Sequence, residues 1–565
     1  MTESSTPTIP EPPARERTPI DLVAEDWVDT LVALDPTIGT RLGRSDSDAR
    51  LGDYSPAGLA ARDDAARDAR ERLLALTPVD AVDEVTQRDL AERLTLLGEQ
   101  HAAQLPLRDL NVIVSPVQAI RNAFDLMPRS TEREWAAVAR RLHAVPAALR
   151  GYQQTLAEGA RRGVAPALRQ VRVVAEQALR HADPQGFFPA LVATAGAVPA
   201  GLRADLGRGA ASAASAFAEL ARFLRDELAP AATLRDGVGR HHYELASREF
   251  LGASIDLDEA YEWGRDELAR MTAEQGNVAR EIVPGGTVTE AIAVLDADPA
   301  RVLRGTDALQ RWLQETSDRA VAELGAAHFA IPAEIRRLDC MIAPTQEGGI
   351  YYTGPSDDFS RPGQMWWSVP KGVTEFRAWR ELTTVYHEGV PGHHLQMATA
   401  VAQRGTLNSW RRQLAGTSGH FEGWALYAER FMAELGYLDD PGARLGMLDG
   451  QRMRAARVVL DLGLHLGKPR PDGAGAWDAD CALEFMTDNV TMNPASVRFE
   501  VNRYLGWPGQ APSYKIGQRI WEQLRDDAAA RAGANFDIRD FHRDALALGS
   551  LGLDTLAWAL GRSGS

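Results

Sequence analysis

The sequence predicts a mainly α-helical protein with a small β-sheet in its second half. Apolar residues recur at steps of three and four through most of the 565 residues, which is the period of an amphipathic helix. This pattern is interrupted near Pro332 by short alternating segments rich in aromatic residues, glycines and prolines, and it returns at Glu375. The apolar fraction of 45% and the charged fraction of 25% exclude a disordered, collagen-like or disulfide-scaffold protein.

Three helices of the first half stand out in chain order. From Thr131 to Leu149 the apolar residues fall on one face, and Pro146 favours a kink in this helix. A second helix is predicted over Ser212–Leu228. A third is predicted over Asp258–Ile282, where Asp256 is suited to cap the amino-terminal end because its carboxylate can accept backbone hydrogen bonds.

The sheet is predicted between these helices and the helical carboxyl-terminal part. The stretch AEIRRLDCMIAP (333–344) alternates as a strand does. The stretch GIYYTGPSDDFSRPGQMWWSVP (349–370) reads as two or three short strands joined by turns. We therefore predict a small mixed or antiparallel sheet.

The chain is predicted to form one continuous body. At roughly 150 residues per domain its length allows three or four domains, but no long linker or fixed repeat divides it. Residues 1–18 are rich in Pro, Ser and Thr and are expected to form a disordered lead. A helical lobe then spans 19–331, and a second lobe with the small sheet spans 332–565.

Charge and cysteine content narrow the function classes. Lys plus Arg is 62 and Asp plus Glu is 78, which gives a formal net charge of −16. Such a surface disfavours nucleic acid and anionic membranes, so we expect neither as a partner. Cys340 and Cys481 belong to no paired motif, and no apolar segment of signal-peptide or membrane-spanning length occurs. We therefore expect a cytoplasmic protein.

The segment TTVYHEGVPGHHLQ concentrates metal-binding side chains. It contains His387, Glu388, His393 and His394, which is dense for a chain with 12 histidines. Zinc hydrolases need imidazole ligands and a carboxylate beside the attacking water, usually arranged as HExxH on one helix. Here Pro391 occupies the position of the second histidine.

The proline makes the second ligand a geometric question. On an unbroken helix His394 would lie about 10 Å along the axis from His387, and His393 would face roughly 120° away from it. Pro391 and Gly392 predict a kink or bulge. A two-residue bulge would bring His393 into place, while His394 remains the alternative.

A third ligand is expected from the helix that contains FEGWALYAERF. Glu422 and Glu429 are seven residues apart and face the same side of this helix. In one class of zinc peptidases the third ligand is a glutamate from the next long helix. We favour Glu422, which we place at the beginning of the helix, over Glu429.

The carboxyl-terminal motif supplies further candidates. Tyr504 and Tyr514 could donate a hydrogen bond to the oxyanion that forms during hydrolysis. Arg498 and Arg503 could bind a substrate carboxylate. His465 follows Asp461 by one helical turn and could line the site, bind the metal or contact the substrate.

Four ordered motifs carry a family resemblance. The stretches HEGVPGHHLQ, EGWALYAE, LDLGLH and EVNRYLGWPGQAPSYKIG, within Tyr386–Gly517, resemble the DUF885 family of bacterial zinc metallopeptidases. The resemblance to gluzincin-type peptidases implies a large helical body with a central cleft and a small sheet beside the active-site helix. It also implies His387, His393 and Glu422 as ligands of one Zn²⁺, with Glu388 as general base.

The function expected from these residues is zinc-dependent hydrolysis of short peptides. Glu388 would take a proton from the attacking water and pass it to the leaving amine. Two other classes stay open: a non-catalytic peptide-binding protein pinned by its metal, and a zinc hydrolase of non-peptide amides or esters. Mn²⁺, Co²⁺ or Fe²⁺ could replace zinc, and the sequence leaves a homodimer open.

Overall fold

The computed structural model describes residues 15–343 and 349–562. Residues 1–14 of the predicted lead lie outside the described residues. Pro344, the last residue of the first predicted strand segment, also lies outside them. The α-helices, numbered in chain order, are α1 (Pro19–Leu34), α2 (Pro36–Arg41), α3 (Pro56–Leu74), α4 (Ala81–Ala102), α5 (Pro116–Asn122), α6 (Glu132–Arg161), α7 (Leu168–Ala182), α8 (Phe187–Ala193), α9 (Ala200–Phe223), α10 (Arg240–Leu251), α11 (Leu257–Ile282), α12 (Val288–Ala297), α13 (Thr306–Ala327), α14 (Ala378–Glu388), α15 (His393–Ala402), α16 (Ser418–Glu434), α17 (Pro441–Leu466), α18 (Ala479–Asn489), α19 (Pro494–Gly506), α20 (Gln510–Ala532), α21 (Ile538–Ala547) and α22 (Leu553–Arg562).

The mainly helical fold class is confirmed, and local chemistry explains where the helices begin. The Asp256 carboxylate caps α11 by accepting hydrogen bonds from the backbone N–H groups of Asp258 and Glu259, as the sequence predicts. The helix predicted over Thr131–Leu149 is longer, since α6 continues through Pro146 as far as Arg161. The helix predicted over 212–228 corresponds to the end of α9 and a π-helical turn over 224–228.

The strands fall in the region where the sequence places them. They are β1 (Val302–Arg304), β2 (Leu338–Ile342), β3 (Ile350–Thr353), β4 (Gly363–Trp367) and β5 (Glu375–Arg377). Strand β4 lies between β2, to which it is parallel, and β3, to which it is antiparallel. Strands β1 and β5 form a separate antiparallel pair, and β5 leads directly into α14. The three-stranded sheet is therefore mixed, and its Leu338 and Met365 belong to the same hydrophobic cluster as Val385 of α14, the helix that carries His387.

Two large hydrophobic clusters form most of the core. One is built from residues between Tyr54 and Leu228, chiefly of α6, α7 and α9. The other draws mainly on residues between Tyr243 and Leu560, with α11, α16, α17 and α20 at its centre. The lobe boundary near Pro332 stays a prediction.

Close contact between α16 and α20 sets the geometry of the site. A Cβ atom at Gly423 would lie 2.4 Å from the backbone of Gly517, and one at Gly517 would lie 2.3 Å from the carbonyl oxygen of Gly419. Only glycines therefore allow these two helices to approach this closely. Glu422 directly precedes Gly423 on α16, and Tyr514 lies about one turn before Gly517 on α20. The close contact therefore joins the two helices that carry these residues. In the part of the chain that the structure describes, no helix is long and apolar enough to cross a membrane.

Candidate metal centre

A break between α14 and α15 brings two histidines together. Helix α14 ends at Glu388 and α15 begins at His393, and the Val390–Pro391 peptide bond between them is cis. Gly392 is required here, because a Cβ atom at this position would lie 1.9 Å from the carbonyl oxygen of His387. The break places the imidazole rings of His387 and His393 with their centroids 4.8 Å apart.

Helix α16 holds the break in place. The indole Nε1 of Trp424 donates a hydrogen bond of 2.8 Å to the carbonyl oxygen of Pro391. The Gly392 N–H donates to the carbonyl oxygen of Tyr386 at 3.0 Å. Both hydrogen bonds are buried, so the turn between the two histidines is fixed relative to α16.

Three donor atoms converge at this point. The Glu422 Oε2 atom lies 3.2 Å from His387 Nε2 and 3.6 Å from His393 Nε2. Both histidines are buried, whereas 22% of the Glu422 side-chain surface is exposed. Glu422 lies in the second turn of α16 and not at its beginning, because the helix starts at Ser418. Two imidazole nitrogens and one carboxylate oxygen form a donor set that suits zinc.

A second carboxylate lies beside the same histidines. Donor atoms of His387, Glu388 and His393 all lie within 4.8 Å of one another. Glu388 makes no ion pair with either imidazole, whereas Glu422 contacts both. Two carboxylates therefore lie at the paired histidines: Glu422 in contact with both rings, and Glu388 within 4.8 Å of them and without an ion pair to either. Burial raises the pKa of Glu388, and this outweighs the attraction of His393 and His387.

Glu429 orients the first histidine. Its Oε1 lies 2.7 Å from His387 Nδ1, and its Oε2 accepts a hydrogen bond of 2.8 Å from the Thr383 hydroxyl. Burial lowers the pKa of His387, but the hydrogen bonds to Glu422 and Glu429 outweigh it and raise the pKa to about 10. Burial raises the pKa of Glu422, but hydrogen bonds to His387 and His393 outweigh it and hold that pKa well below its usual range. The carboxylate of Glu429 thus leaves His387 Nε2 directed at Glu422.

His394 points away from this centre. Its Nδ1 lies 2.9 Å from the Tyr352 hydroxyl of β3, and its Nε2 lies 2.7 Å from the carbonyl oxygen of Ile335. Both ring nitrogens therefore have partners outside the site. Burial lowers the pKa of His394 to about 4, so its ring is neutral at pH 7.

Tyr514 and Tyr504 differ in their surroundings. Tyr514 is half-buried, its hydroxyl makes no hydrogen bond to another described residue, and burial followed by the nearby charge of Glu422 raises its pKa. Tyr504 is buried, and its hydroxyl donates to Glu500 at 2.5 Å and accepts from Arg457 Nε at 2.6 Å. Tyr514 is thus free to contact a substrate, whereas Tyr504 is engaged within the protein.

Three other predicted residues lie on α17 and α19: His465 on the first helix, and Arg498 and Arg503 on the second. Arg503 is buried and pairs with Glu500 at 2.8 Å. Arg498 is exposed on α19. His465 is buried, and its Nε2 lies 3.0 Å from the carbonyl oxygen of Tyr504, so it links α17 to α19. None of these three contacts His387, His393 or Glu422 in the described part of the chain.

Arg454 of α17 is a residue that the sequence reasoning missed. It is partly buried and has no ion pair or hydrogen bond with another described residue. Its charge lowers the pKa of Glu388, of Glu429 and of Tyr514 in opposition to burial. Gln451, one helical turn before Arg454, contacts α16 and α20. Residues three apart lie on the same face of a helix, so this spacing could have identified Arg454 as a residue that faces the site.

Two solved structures match almost the whole chain. The crystal structure of "the putative lipoprotein from Colwellia psychrerythraea" matches with a TM-score of 0.83 and 21% identity, over 96% of this chain and 98% of that chain. The structure of "a putative lipoprotein of unknown function from Shewanella oneidensis" matches with a TM-score of 0.74 and 17% identity, over 97% of this chain and 100% of that chain. At these identities the likeness establishes a shared fold.

A third structure is much less similar. Pyrococcus furiosus carboxypeptidase, in a structure described as Apo-Mg, matches with a TM-score of 0.42 and 12% identity, over 97% of each chain. This likeness is too weak to support a conclusion. Among curated proteins, no significant match is found.

The predicted cytoplasmic location is contradicted by the first two structures. Both proteins are described as lipoproteins, with the qualification quoted above. The prediction rested on two unpaired cysteines and on the lack of a signal-like apolar segment. Neither feature determines the compartment of a protein, so the assignment was wrong and is withdrawn.

One family model covers nearly the full length of the sequence. It matches residues 36–560, which include all the residues of the candidate metal centre. The chain therefore belongs to the family described as bacterial protein of unknown function, DUF885.

Proposed function

We propose that the protein is a metal-dependent hydrolase and, within that class, a zinc metallopeptidase that cleaves short peptides. The observation that carries the proposal is the convergence of His387 Nε2, His393 Nε2 and Glu422 Oε2, with the free carboxylate of Glu388 beside them. Catalytic zinc sites commonly use three protein ligands of this kind and leave one position open.

The charge balance fits a divalent cation held by His387, His393 and Glu422. With His387 and His393 neutral, as metal ligands must be, the carboxylates of Glu388, Glu422 and Glu429 outnumber the one nearby positive charge, that of an arginine of α17. Zinc bound there would act as a Lewis acid that polarises a carbonyl group and makes water more acidic. Glu429 holds His387 in the orientation that such a ligand needs.

Glu388 suits the role of general base. Its carboxylate accepts no hydrogen bond from another described residue, so it can take a proton from the attacking water. The same carboxylate can then deliver the proton to the leaving amine. General acid–base catalysis of this kind contributes about two to four orders of magnitude in rate.

Tyr514 and Arg454 would contact the substrate. The Tyr514 hydroxyl has no partner in the described part of the chain and can donate to a developing oxyanion. Arg454 carries an unpaired positive charge near Glu388 and can bind an acidic group of the substrate. Arg503 is buried and already paired with Glu500, so Arg454 replaces it in our proposal.

The arrangement favours an enzyme over a metal-pinned binding protein. A purely structural site would recruit a fourth protein ligand, and His394 is the nearest histidine in sequence. Both nitrogens of His394 are bound by Tyr352 and Ile335, so His394 is not available as a fourth ligand.

Metal analysis combined with peptide hydrolysis tests the proposal. We expect about one zinc per chain, as in other single-site zinc enzymes. His387→Ala should lose the zinc, whereas Glu388→Gln should retain it and lose hydrolysis by about two to four orders of magnitude. The exposed Glu434→Gln on α16 is the matched control and should change neither.

Either of two results would refute the assignment. One is full zinc retention by His387→Ala, and the other is undiminished hydrolysis by Glu388→Gln. A panel of dipeptides, tripeptides, amides and esters identifies the bond that is cleaved. Zinc binding with no hydrolysis of any of them would support the metal-pinned alternative.

A further inference from the structure

A large cavity lies apart from the metal centre. It has a volume of about 560 Å³ and is lined by α1, α3, α4, α10 and the segment before α5, with residues 505–508 on one side. None of His387, Glu388, His393 and Glu422 lines it. Pockets of roughly 300–1,000 Å³ bind small organic ligands, so the cavity is large enough for one.

The wall of the cavity is rich in aromatic rings. Trp27, Tyr54, Tyr152, Phe250 and Trp507 all line it, although they are separated by up to 480 positions in the sequence. Aromatic faces bind apolar groups, and they also attract cations through the negative charge of the ring face. These rings can therefore surround the apolar body of a ligand and its charged end.

Two of the aromatic side chains carry polar atoms without a partner. Trp27 is 2% exposed and its Nε1 makes no hydrogen bond, and Tyr54 is 6% exposed and its hydroxyl makes none. Buried polar groups are nearly always hydrogen-bonded in native proteins. Both residues line the cavity, so a polar ligand is a natural source of the missing partners.

Two carboxylates of the cavity wall form no ion pair. Asp109 and Glu249 are exposed at the cavity surface, and neither forms an ion pair with another residue of the described chain. Glu249 accepts one hydrogen bond of 2.6 Å, from the Gln100 amide. Both residues line the same cavity, and enclosure by its walls, followed by the charge of Glu249, raises the pKa of Asp109 to about 7.

Most of the other charged groups of the cavity are paired. Five carboxylates and two arginines line it. Arg62 lies 3.8 Å from Asp35, and Arg108 has no ion-pair partner among the described residues. Burial lowers the pKa of His242 to about 3, so this ring is neutral at pH 7. Two further carboxylates of the wall pair with Arg67 and Arg169, which do not line the cavity. Asp109 and Glu249 therefore stand unpaired against one unpaired arginine, and this balance favours a cation over an anion as the ligand.

We propose that this cavity binds an organic ammonium ion: a protonated amine on an aromatic or aliphatic body, held by the carboxylates of Asp109 and Glu249. The amine would donate hydrogen bonds to these carboxylates, and its body would pack against the aromatic wall. The proposal is independent of the metal centre, because no proposed metal ligand lines the cavity.

Isothermal titration of the full-length protein with three related probes tests this proposal. Phenethylamine, 2-phenylethanol and 3-phenylpropionate share one body and carry a positive, a neutral and a negative end. At about pH 8, which is above the pKa of about 7 of Asp109, phenethylamine should bind at least about tenfold more tightly than the other two. Binding of the anion that is equal to or tighter than binding of the amine overturns the proposal, as does no measurable binding of phenethylamine.

Variants locate the site. Asp109→Asn and Glu249→Gln should each weaken phenethylamine binding by about tenfold, because each removes one charged hydrogen-bond acceptor. Glu244→Gln is the matched control, since Glu244 is an exposed glutamate of the same helix, α10, and does not line this cavity. Unchanged binding in both cavity variants overturns the proposal, as does loss of binding in His387→Ala, which would place the amine at the metal centre.

A further probe distinguishes two sources of the amine. Phenylalanyl-glycinamide presents the same ammonium group as the amino terminus of a peptide. Tighter binding than phenethylamine identifies a peptide amino terminus as the ligand group, and weaker binding identifies a free amine. Both outcomes support ammonium recognition if the Asp109→Asn variant weakens the binding.

Discussion

The carboxylate of Glu429 should determine how tightly His387 binds a metal ion. Glu429 is 1% exposed, and its two oxygens are used by His387 Nδ1 at 2.7 Å and by the Thr383 hydroxyl at 2.8 Å. A hydrogen bond to a charged group is worth about 1.5–3 kcal/mol. Glu429→Gln keeps the shape of the side chain but removes the charge, so most of this energy should be lost from the bound state.

The expected effect on zinc affinity follows from this energy. About 1.4 kcal/mol corresponds to a tenfold change in an equilibrium constant, so the zinc Kd of Glu429→Gln should rise by about 10- to 100-fold. Competition with a zinc-chelating dye at fixed pH measures this Kd. Thr383→Val should have a smaller effect, since it removes only a neutral donor worth about 0.5–1.5 kcal/mol.

Two controls separate orientation of the ligand from general destabilisation. Glu434→Gln, an exposed glutamate of the same helix that pairs with Arg525 at 3.3 Å, should leave the zinc Kd unchanged. Unfolding in urea should show that Glu429→Gln is folded under the conditions of the titration. A zinc Kd of Glu429→Gln that equals that of Glu434→Gln would refute the reasoning.

Three further predictions concern neighbouring parts of the site. Gly392→Ala should lose zinc and about 1–3 kcal/mol of unfolding free energy, because its Cβ would lie 1.9 Å from a carbonyl oxygen. Gly405→Ala is the control, because the space around Gly405 is open. Equal zinc content in the two variants would contradict the prediction. Glu500→Gln should destabilise the protein at pH 7 by about 3–5 kcal/mol, because it leaves Arg457 and a second buried arginine without their carboxylate. Burial raises the pKa of Glu500, but the two arginines outweigh it and lower the pKa to about 2. The stability that Glu500 contributes should therefore be lost as the pH falls from about 4.5 towards 2. A difference in urea unfolding between the original protein and Glu500→Gln that persists at the lowest pH would argue against this. Arg454→Ala should raise the KM for peptides with a free terminal carboxylate by about tenfold and leave that for amidated peptides unchanged, and equal effects on both would exclude the proposed contact.

Much of the candidate site could be predicted from the sequence because its donors lie in short motifs. The break at Pro391 and Gly392 was predictable from the missing N–H and the lack of a side chain. The sequence could not show which histidine this break brings to the site, since both His393 and His394 satisfied the local geometry. The choice depends on Tyr352 and Ile335, which bind His394 and come from a different part of the chain.

Roles that depend on the packing of distant helices escaped the sequence reasoning. Glu429 was recognised on the correct helix face, but its position against His387 Nδ1 depends on how α16 crosses α14. Glu500 is an exception: it opens the motif that contains Arg503 and Tyr504 and lies three and four residues before them, so helix spacing could have predicted that it engages both. Sequence spacing gives no distances between remote residues. It therefore could not predict the cavity, whose wall joins residues from the two ends of the chain.

Anomalous diffraction at the zinc edge, from crystals of the zinc-loaded protein with a hydroxamate peptide analogue, tests the central claim most directly. The account predicts one zinc peak bound by the Nε2 atoms of His387 and His393 and by the carboxylate of Glu422. It also predicts that Glu388 lies beside the zinc without binding it and that the hydroxamate occupies the open position. A peak ligated by His394 or Glu388 in place of these residues, or no peak at this position, would contradict the account.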